Sequence, residues 1–169
     1  KLHGFVRGIN NKWVSWIVFL VLSWVYGAFV FADVIVFNSL EFWTGSNPVG
    51  MDFDKKGEHK RTAQKGDEKV VFTYRKYGKE LVVDLYKNNK HVKSLLLKKE
   101  LRGVFFALNN GKWEQIDVKT LDRGERKLIR IMEGQKVVSE KLYTNREIAQ
   151  MKNRTNNLFA QTAPAGGHL

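Results

Sequence analysis

The sequence predicts an α+β fold, in which an N-terminal apolar helix or helical hairpin precedes an antiparallel β-meander domain with a short C-terminal helix. Two observations predict this class. The stretch Trp13–Ala32 carries no charge over about 20 residues, a length typical of a helix that crosses a bilayer. From residue 69 onward, short β-branched or aromatic runs alternate with turn residues. A chain of 169 residues has room for one core with satellite elements.

The apolar stretch Trp13–Ala32 is the strongest single signal in the chain. Basic residues precede it and acidic residues follow it, which predicts an N-terminus on the cytoplasmic side of an inner membrane. Trp13, Trp16 and Trp24 are the expected membrane anchors. The alternative is a soluble fold that buries these residues as one or two core helices, although few polar residues would then face water.

A polar seam continues along the helix into the segment after Ala32. On a helical wheel its polar and small residues share a sector of about 140°, with Ser39 as the exception. The seam comprises Ser15, Ser23, Tyr26, Gly27, Asp33, Asn38 and Glu41. Small and polar groups on an apolar helix are expected to meet protein. The predicted partner interface therefore contains the seam together with Trp43, Thr44 and Gly45, which lie at the turn that ends the helix.

Changes in composition and in apolar periodicity divide the chain into four regions. Residues 1–49 form the predicted membrane-associated segment, and residues 50–68, charged and glycine-punctuated, are interpreted as a linker or loop. Residues 69–154 carry six or seven predicted strands, curled or packed against one helix, with hairpin turns at Tyr77-Gly78, Asn88-Asn89, Asn110-Gly111 and Glu133-Gly134. A short helix is predicted within 145–154, and residues 155–169 form a flexible or partner-bound tail.

The search for chemistry is mostly negative and predicts that the chain is not an enzyme. There are no cysteines, and His3, His59, His91 and His168 are scattered without metal-ligand spacing. No nucleophile elbow, phosphate loop or dinucleotide motif occurs. We expect no catalytic, cofactor or metal site. Asp33 and Glu41 are interpreted as interfacial anchors or partners of turn amides in preference to an ion or proton pathway, because two acids near one end of a span make a poor relay.

The net charge of +12 favours anionic neighbours. Seven basic residues of the region after the apolar segment are candidates for phosphate contacts, with a solvated lysine-rich face as the plainer alternative. They are Lys55, Lys56, Lys60, Arg61, Lys98, Lys99 and Arg102. Nucleic acid is not expected as a partner, because an aromatic stacking motif is missing.

The run ADVIVFNSLEFWTGSNPV resembles a segment of a family of bacterial lipoproteins known only as a domain of unknown function. The matching positions are Asp33, Asn38, Ser39, Glu41, Phe42, Trp43, Thr44 and Gly45. The resemblance implies two apolar helical stretches followed by a β-rich part, and it implies no known reaction. Because the chain begins with Lys1, we expect that a preceding piece has been removed, and a lipid-bearing cysteine just ahead of Lys1 would fit the family.

These observations favour a non-enzymatic accessory or scaffold subunit of a membrane protein complex in the bacterial cell envelope, with a periplasmic β-domain. Its expected partners are an integral membrane protein, in a hetero-oligomer, and membrane lipid. The alternative is a membrane-anchored carrier or sensor, in which the β-domain binds an anionic lipid or glycan; a cavity lined by apolar and basic side chains would favour it. An enzyme would need a cleft with clustered carboxylates.

Overall fold

The computed structural model describes residues 32–44, 52–150 and 153. This part of the chain forms one helix followed by eight strands and a further short helical segment. Helix α1 spans Ala32–Thr44. The strands are β1 His59–Lys65, β2 Glu68–Arg75, β3 Glu80–Lys87, β4 Lys90–Lys98, β5 Phe105–Asn109, β6 Lys112–Arg123, β7 Arg126–Glu133 and β8 Lys136–Thr144.

All eight strands belong to one antiparallel sheet in which each strand pairs with the next in sequence. The predicted antiparallel meander is confirmed. Short connections are the physical reason, because a two-residue loop can only return the chain beside the strand it has just left. Asn88 and Asn89 join β3 to β4, while Asn110 and Gly111 join β5 to β6, and all four have positive φ as predicted for tight turns.

The sheet has eight strands where six or seven were predicted. The interpretation of residues 50–68 as a linker or loop is wrong for His59–Lys65, which form β1 and pair with β2 along their whole length. The sequence HKRTAQK lacks an alternating apolar pattern, and Ala63 is its one apolar member that packs against the core. Backbone pairing with β2, which needs no apolar side chains, forms this polar edge strand.

Helix α1 covers one face of the sheet, which we call the inner face. Ile35, Ser39, Phe42 and Trp43 are all buried on the side of α1 that meets this face. The core contributed by the sheet consists of aliphatic and aromatic residues of β2 to β7: Val70, Phe72, Tyr74, Leu81, Val83, Leu85, Leu95, Leu97, Phe105, Ala107, Ile116 and Ile131. We call the opposite side of the sheet the outer face.

The chain after β8 turns into a short helical segment, α2, over residues 145–150. The predicted short C-terminal helix is confirmed there. The backbone N–H of Glu147 donates to Thr144 Oγ1 at 3.1 Å, and the N–H of Thr144 donates to Glu147 Oε1 at 2.8 Å. This reciprocal pair satisfies amide groups at the start of the helix. Ile148 of α2 is buried with Ile129 and Tyr143 in a second small core.

Several sequence-based predictions fall on residues that lie outside the described part of the chain. They include most of the apolar stretch Trp13–Ala32, the turn after Thr44 and the C-terminal tail. Within the described ranges, no helix has both the length and the apolar character needed to cross a bilayer.

Candidate functional site

The C-terminal end of α1 is attached to the loop between β4 and β5, and we call this contact the α1 junction. The indole Nε1–H of Trp43 donates to the backbone oxygen of Lys98 at 3.0 Å. Lys99 Nζ donates to the backbone oxygen of Phe42 at 2.5 Å and lies 5.1 Å from the centre of the Phe42 ring. The Trp43 ring meets Phe105 edge-on, with 4.9 Å between ring centres.

The α1 junction satisfies groups that burial would otherwise leave unpaired. The last carbonyls of a helix have no partner inside the helix and carry partial negative charge, so an ammonium group there is favourable. A buried indole N–H likewise needs an acceptor, and Trp43 is only 2% exposed. Burial lowers the pKa of Lys99, and the nearby Arg102 charge lowers it further. The junction therefore fixes the orientation of the C-terminal end of α1 relative to the sheet.

A second link joins the middle of α1 to the sheet through Arg61 of β1. One guanidinium nitrogen, Nη2, donates to Asn38 Oδ1 at 3.2 Å and to the Tyr74 hydroxyl at 2.7 Å. Asn38 Nδ2 in turn donates to the backbone oxygen of Val34 at 2.8 Å. Burial raises the pKa of Tyr74, although the hydrogen bond from Arg61 opposes this. The sequence alone did not indicate this link. Pairing between β1 and β2 brings Arg61 close to Tyr74, and the two residues are far apart in a local reading of the chain.

The polar seam does not provide the face of α1 that packs on the sheet. Glu41 is exposed and Asn38 is half-buried, next to the exposed Val34 and the half-buried Phe37. Ser39, the exception on the helical wheel, is fully buried, and its Oγ donates to the Ile35 backbone oxygen at 2.8 Å. We call the set Val34, Phe37, Asn38 and Glu41 the outer side of α1.

The assignment of Trp43 to a partner interface is wrong, because its side chain is buried in the core of this chain. A large aromatic residue at a helix end gives the same sequence signal for an internal core as for an external partner. Asp33 and Thr44 lie in α1, but their side chains are outside the described part. Other predicted interface and anchor residues are wholly outside it: Ser15, Ser23, Tyr26, Gly27, Gly45, Trp13, Trp16 and Trp24.

One cluster on the outer face contains the residue types of a hydrolase triad. Ser94 Oγ donates a short hydrogen bond to Asp84 Oδ1, and His91 Nε2 lies 2.7 Å from Ser94 Oγ. Since the hydroxyl has one proton and directs it to Asp84, the imidazole donates to Ser94 and does not accept from it. A serine nucleophile needs the opposite arrangement. Ser94 is also buried, so this cluster is a bridge between β3 and β4.

A second polar cluster lies on the inner face and takes one residue from each of the strands β4 to β7. Glu133 is 2% exposed, and its Oε1 accepts from Lys93 Nζ at 2.7 Å and from Asn109 Nδ2 at 2.6 Å. Asn109 also donates to Glu114 Oε1 at 3.1 Å. Each buried charge therefore has a partner, as the low dielectric of an interior demands. Sequence reasoning missed this cluster, since its members come from four strands and share no motif.

Metal ligands do not converge in the parts of the chain that the structure describes, where no three His, Cys, Asp or Glu side chains form a suitable group. His59 hydrogen-bonds the backbone oxygen of Asp52, and His91 belongs to the cluster with Ser94. His3 and His168 lie outside the described ranges.

Comparison with known protein families shows which family the chain belongs to. The model of a family described as Domain of unknown function (DUF3332) matches residues 1–160. The chain belongs to this family. The match spans both the apolar N-terminal region and the sheet, so the DUF3332 unit includes α1 and the eight strands together. No curated protein and no solved structure matches this DUF3332 chain.

Proposed function

We propose that this DUF3332 chain is a non-enzymatic accessory or scaffold subunit of a membrane protein complex in the bacterial cell envelope. It docks in or beside an integral membrane partner through its apolar N-terminal segment, in a hetero-oligomer. The β-domain then lies on the periplasmic side.

The α1 junction is the observation that carries this proposal. The uncharged stretch Trp13–Ala32 runs directly into α1, and α1 is held to the sheet by Trp43, Lys99 and Arg61. Because α1 is fixed to the sheet in this way, a partner that binds α1 also orients the sheet. Such coupling suits a scaffold, whereas a simple anchor works equally well through a flexible linker.

The outer side of α1 supports a protein partner near the membrane. Val34 remains 38% exposed beside the half-buried Phe37, while the exposed Glu41 offers a carboxylate. Small exposed apolar areas with a few polar groups are typical of protein interfaces. These residues continue the polar seam, so the proposed interface extends from the apolar stretch along α1.

The alternative function, a carrier or sensor for an anionic lipid or glycan, needs space between the sheet and its covering helix. The inner face is instead filled by side chains such as Leu81, Leu85 and Leu97, which are fully buried in the core that α1 shares. A ligand there would have to displace the helix and break the α1 junction. Close packing in the described residues therefore favours the scaffold over the carrier.

Photo-crosslinking in native membranes tests the scaffold proposal. A photoreactive phenylalanine analogue is introduced at Val34 or at Glu41, both exposed on the outer side of α1. We expect each position to crosslink to one and the same integral membrane protein, with near-stoichiometric recovery after gentle detergent extraction. The matched control position is Val92, which is 42% exposed on the sheet and should give no such product.

Recovery of the chain alone, crosslinked only to lipid from both positions of α1, would favour the carrier and reject the scaffold. The variant Glu41→Lys should weaken recovery of the partner because it reverses a charge within the proposed interface. Folding of this variant is checked by its thermal unfolding, which should remain close to that of the parent chain since Glu41 is exposed.

A further inference from the structure

The outer face of the sheet carries an exposed row of three leucines across β6, β7 and β8. Leu121 lies directly opposite Leu128, which lies directly opposite Leu142. Leu121 and Leu142 are 43% and 44% exposed, and Leu128 is half-buried. Other apolar residues of the outer face, such as Val82 and Leu96, are buried, so the exposure of Leu121 and Leu142 is unexpected there. We call these residues the leucine row.

Basic residues border the leucine row on both sides. Arg123 and Arg126 occupy the next outer positions towards the β6–β7 turn, while Lys119 and Arg130 occupy the next positions in the other direction. Arg130 forms an ion pair with Glu140, Nε to Oε2 at 2.5 Å. In the described part of the chain, Arg123, Arg126 and Lys119 make no ion pair.

Arg123 and Arg126 face each other directly across the β6–β7 pair, and both are exposed. Like charges at directly opposed positions destabilise a sheet. The nearest carboxylate on β6, Asp122, points to the inner side and pairs with Lys127 at 2.8 Å. Arg123 and Arg126 thus repel each other across the strand pair, and no carboxylate among the described residues pairs with them. Such an exception to the charge rule is expected at a functional site, here one that binds an external anion.

We propose that the leucine row and its basic border form a second membrane contact, which lies on an anionic phospholipid surface. Leucines enter the region between headgroups and acyl chains, and the arginines neutralise lipid phosphates. A bilayer matches both features at once, because it offers an apolar layer directly beneath a layer of negative charge. A protein partner or a second copy of the chain would have to supply acidic groups around an apolar patch. The net charge of +12 adds long-range attraction to such a surface.

This inference goes beyond the proposed function, because it concerns the far end of the sheet and not the apolar N-terminal segment. It predicts that β6 to β8 rest on the membrane whether or not a protein partner is present. The two proposals can fail separately, since crosslinking from α1 identifies a protein and the experiment below measures lipid.

A spin label on the leucine row tests the contact in the full chain. The sequence contains no cysteine, so Leu142→Cys or the control Val92→Cys accepts a single nitroxide. Each labelled chain is mixed with vesicles of phosphatidylcholine, alone or with phosphatidylglycerol. Electron paramagnetic resonance then compares nitroxide collisions with oxygen, which dissolves in lipid, and with a water-soluble nickel chelate. We expect the label at 142 to become lipid-accessible only in vesicles with phosphatidylglycerol, and the label at 92 to remain aqueous in both.

Charge variants identify the role of the arginines. In the chain labelled at 142, Arg123→Gln with Arg126→Gln should raise the phosphatidylglycerol content needed for half-maximal insertion of the label, with about a fivefold loss of surface affinity per arginine. The matched control neutralises Lys112 and Lys136, which are exposed at the other ends of β6 and β8. Equal circular dichroism spectra show that the variants remain folded.

Three outcomes would overturn the proposal. The label at 142 could stay aqueous in anionic vesicles, or the lysine variants could lose as much insertion as the arginine variants. Dipolar broadening of the label at 142 without vesicles would instead show that a second copy of the chain covers the row.

Discussion

At the scale of single residues, Trp43 joins α1 to the sheet by both a hydrogen bond and a ring contact. It supplies a donor to Lys98, an edge-on ring contact to Phe105 and a second ring contact to Phe42, with 6.2 Å between ring centres. Aromatic contacts of this kind add to the free energy of burial, and the indole hydrogen bond fixes the orientation of the ring. This side chain therefore contributes to both the stability and the geometry of the α1 junction, together with the contact between Lys99 and Phe42.

Two substitutions separate these contributions. Trp43→Phe removes one of two donors to the half-buried Lys98 carbonyl, which also accepts from the Leu101 N–H at 3.0 Å, and should lower the free energy of unfolding by about 0.5–1.5 kcal/mol. Trp43→Ala also leaves a cavity and should lower it by about 3–5 kcal/mol. Urea unfolding, followed by far-UV circular dichroism, measures both. The control is Leu101→Ala in the same loop, where the side chain is 39% exposed and the change should stay within about 0.5 kcal/mol. Equal effects of all three variants would contradict this account of the junction.

At the scale of elements, α2 depends on its first turn. A helix this short is unstable in isolation, so its cap and its packing must hold it. Thr144 and Glu147 provide the cap, and Ile148 packs on Ile129 and Tyr143. Burial raises the pKa of the Tyr143 hydroxyl, with a further rise from the nearby Glu147 carboxylate. Helix α2 thus covers the second core at the β7–β8 end of the sheet.

Removal of the cap should release α2 without unfolding the sheet. Thr144→Ala removes the acceptor of the Glu147 N–H and should cost about 1 kcal/mol in local stability. Amide hydrogen exchange should accelerate about fivefold at residues 147–150, while the centre of β3 should be unchanged. Arg146→Gln is the control, since Arg146 is exposed in the same turn and takes no part in the hydrogen bonds between Thr144 and Glu147. Equal acceleration in both variants would show that the hydrogen bonds of Thr144 do not hold α2.

At the scale of the whole molecule, α1 and the sheet share one core. Ile35, Phe42 and Trp43 belong to the same buried cluster as residues from β2 to β7. The apolar inner face of the sheet must be covered in water, and the buried residues of α1 pack on it. The family match over residues 1–160 agrees with this physical unit, because neither part completes its core without the other.

A charge placed between α1 and the sheet should therefore affect the entire fold. Ile35→Asp buries an unpaired carboxylate at a site with no exposure, and we expect a loss of more than about 4 kcal/mol together with dye binding at the uncovered inner face. Val34→Asp is the matched control on the adjacent exposed position and should change stability by less than about 1 kcal/mol. If the sheet melted at its usual temperature in Ile35→Asp, α1 and the sheet would be independent units.

The local signals in the sequence determined the meander and its turns. Residues such as Asn88, Asn89 and Gly111 tolerate positive φ, and that property acts between adjacent residues, so no distant contact is needed to predict it. The period-two runs determined most strands for the same reason. The sequence also determined family membership, since the family model matches residues 1–160.

Tertiary structure alone decided which face of α1 is internal, and it decided the strand β1. Helical periodicity placed Asn38 and Glu41 on one side correctly, but it could not say whether that side or the side with Ser39 meets the sheet. Trp43 became internal because the loop with Lys98 and Lys99 lies beside it, although these residues are 55 and 57 positions from their partners on α1. Burial and buried hydrogen bonds depend on what the rest of the chain brings near, and a sequence read locally does not contain that information.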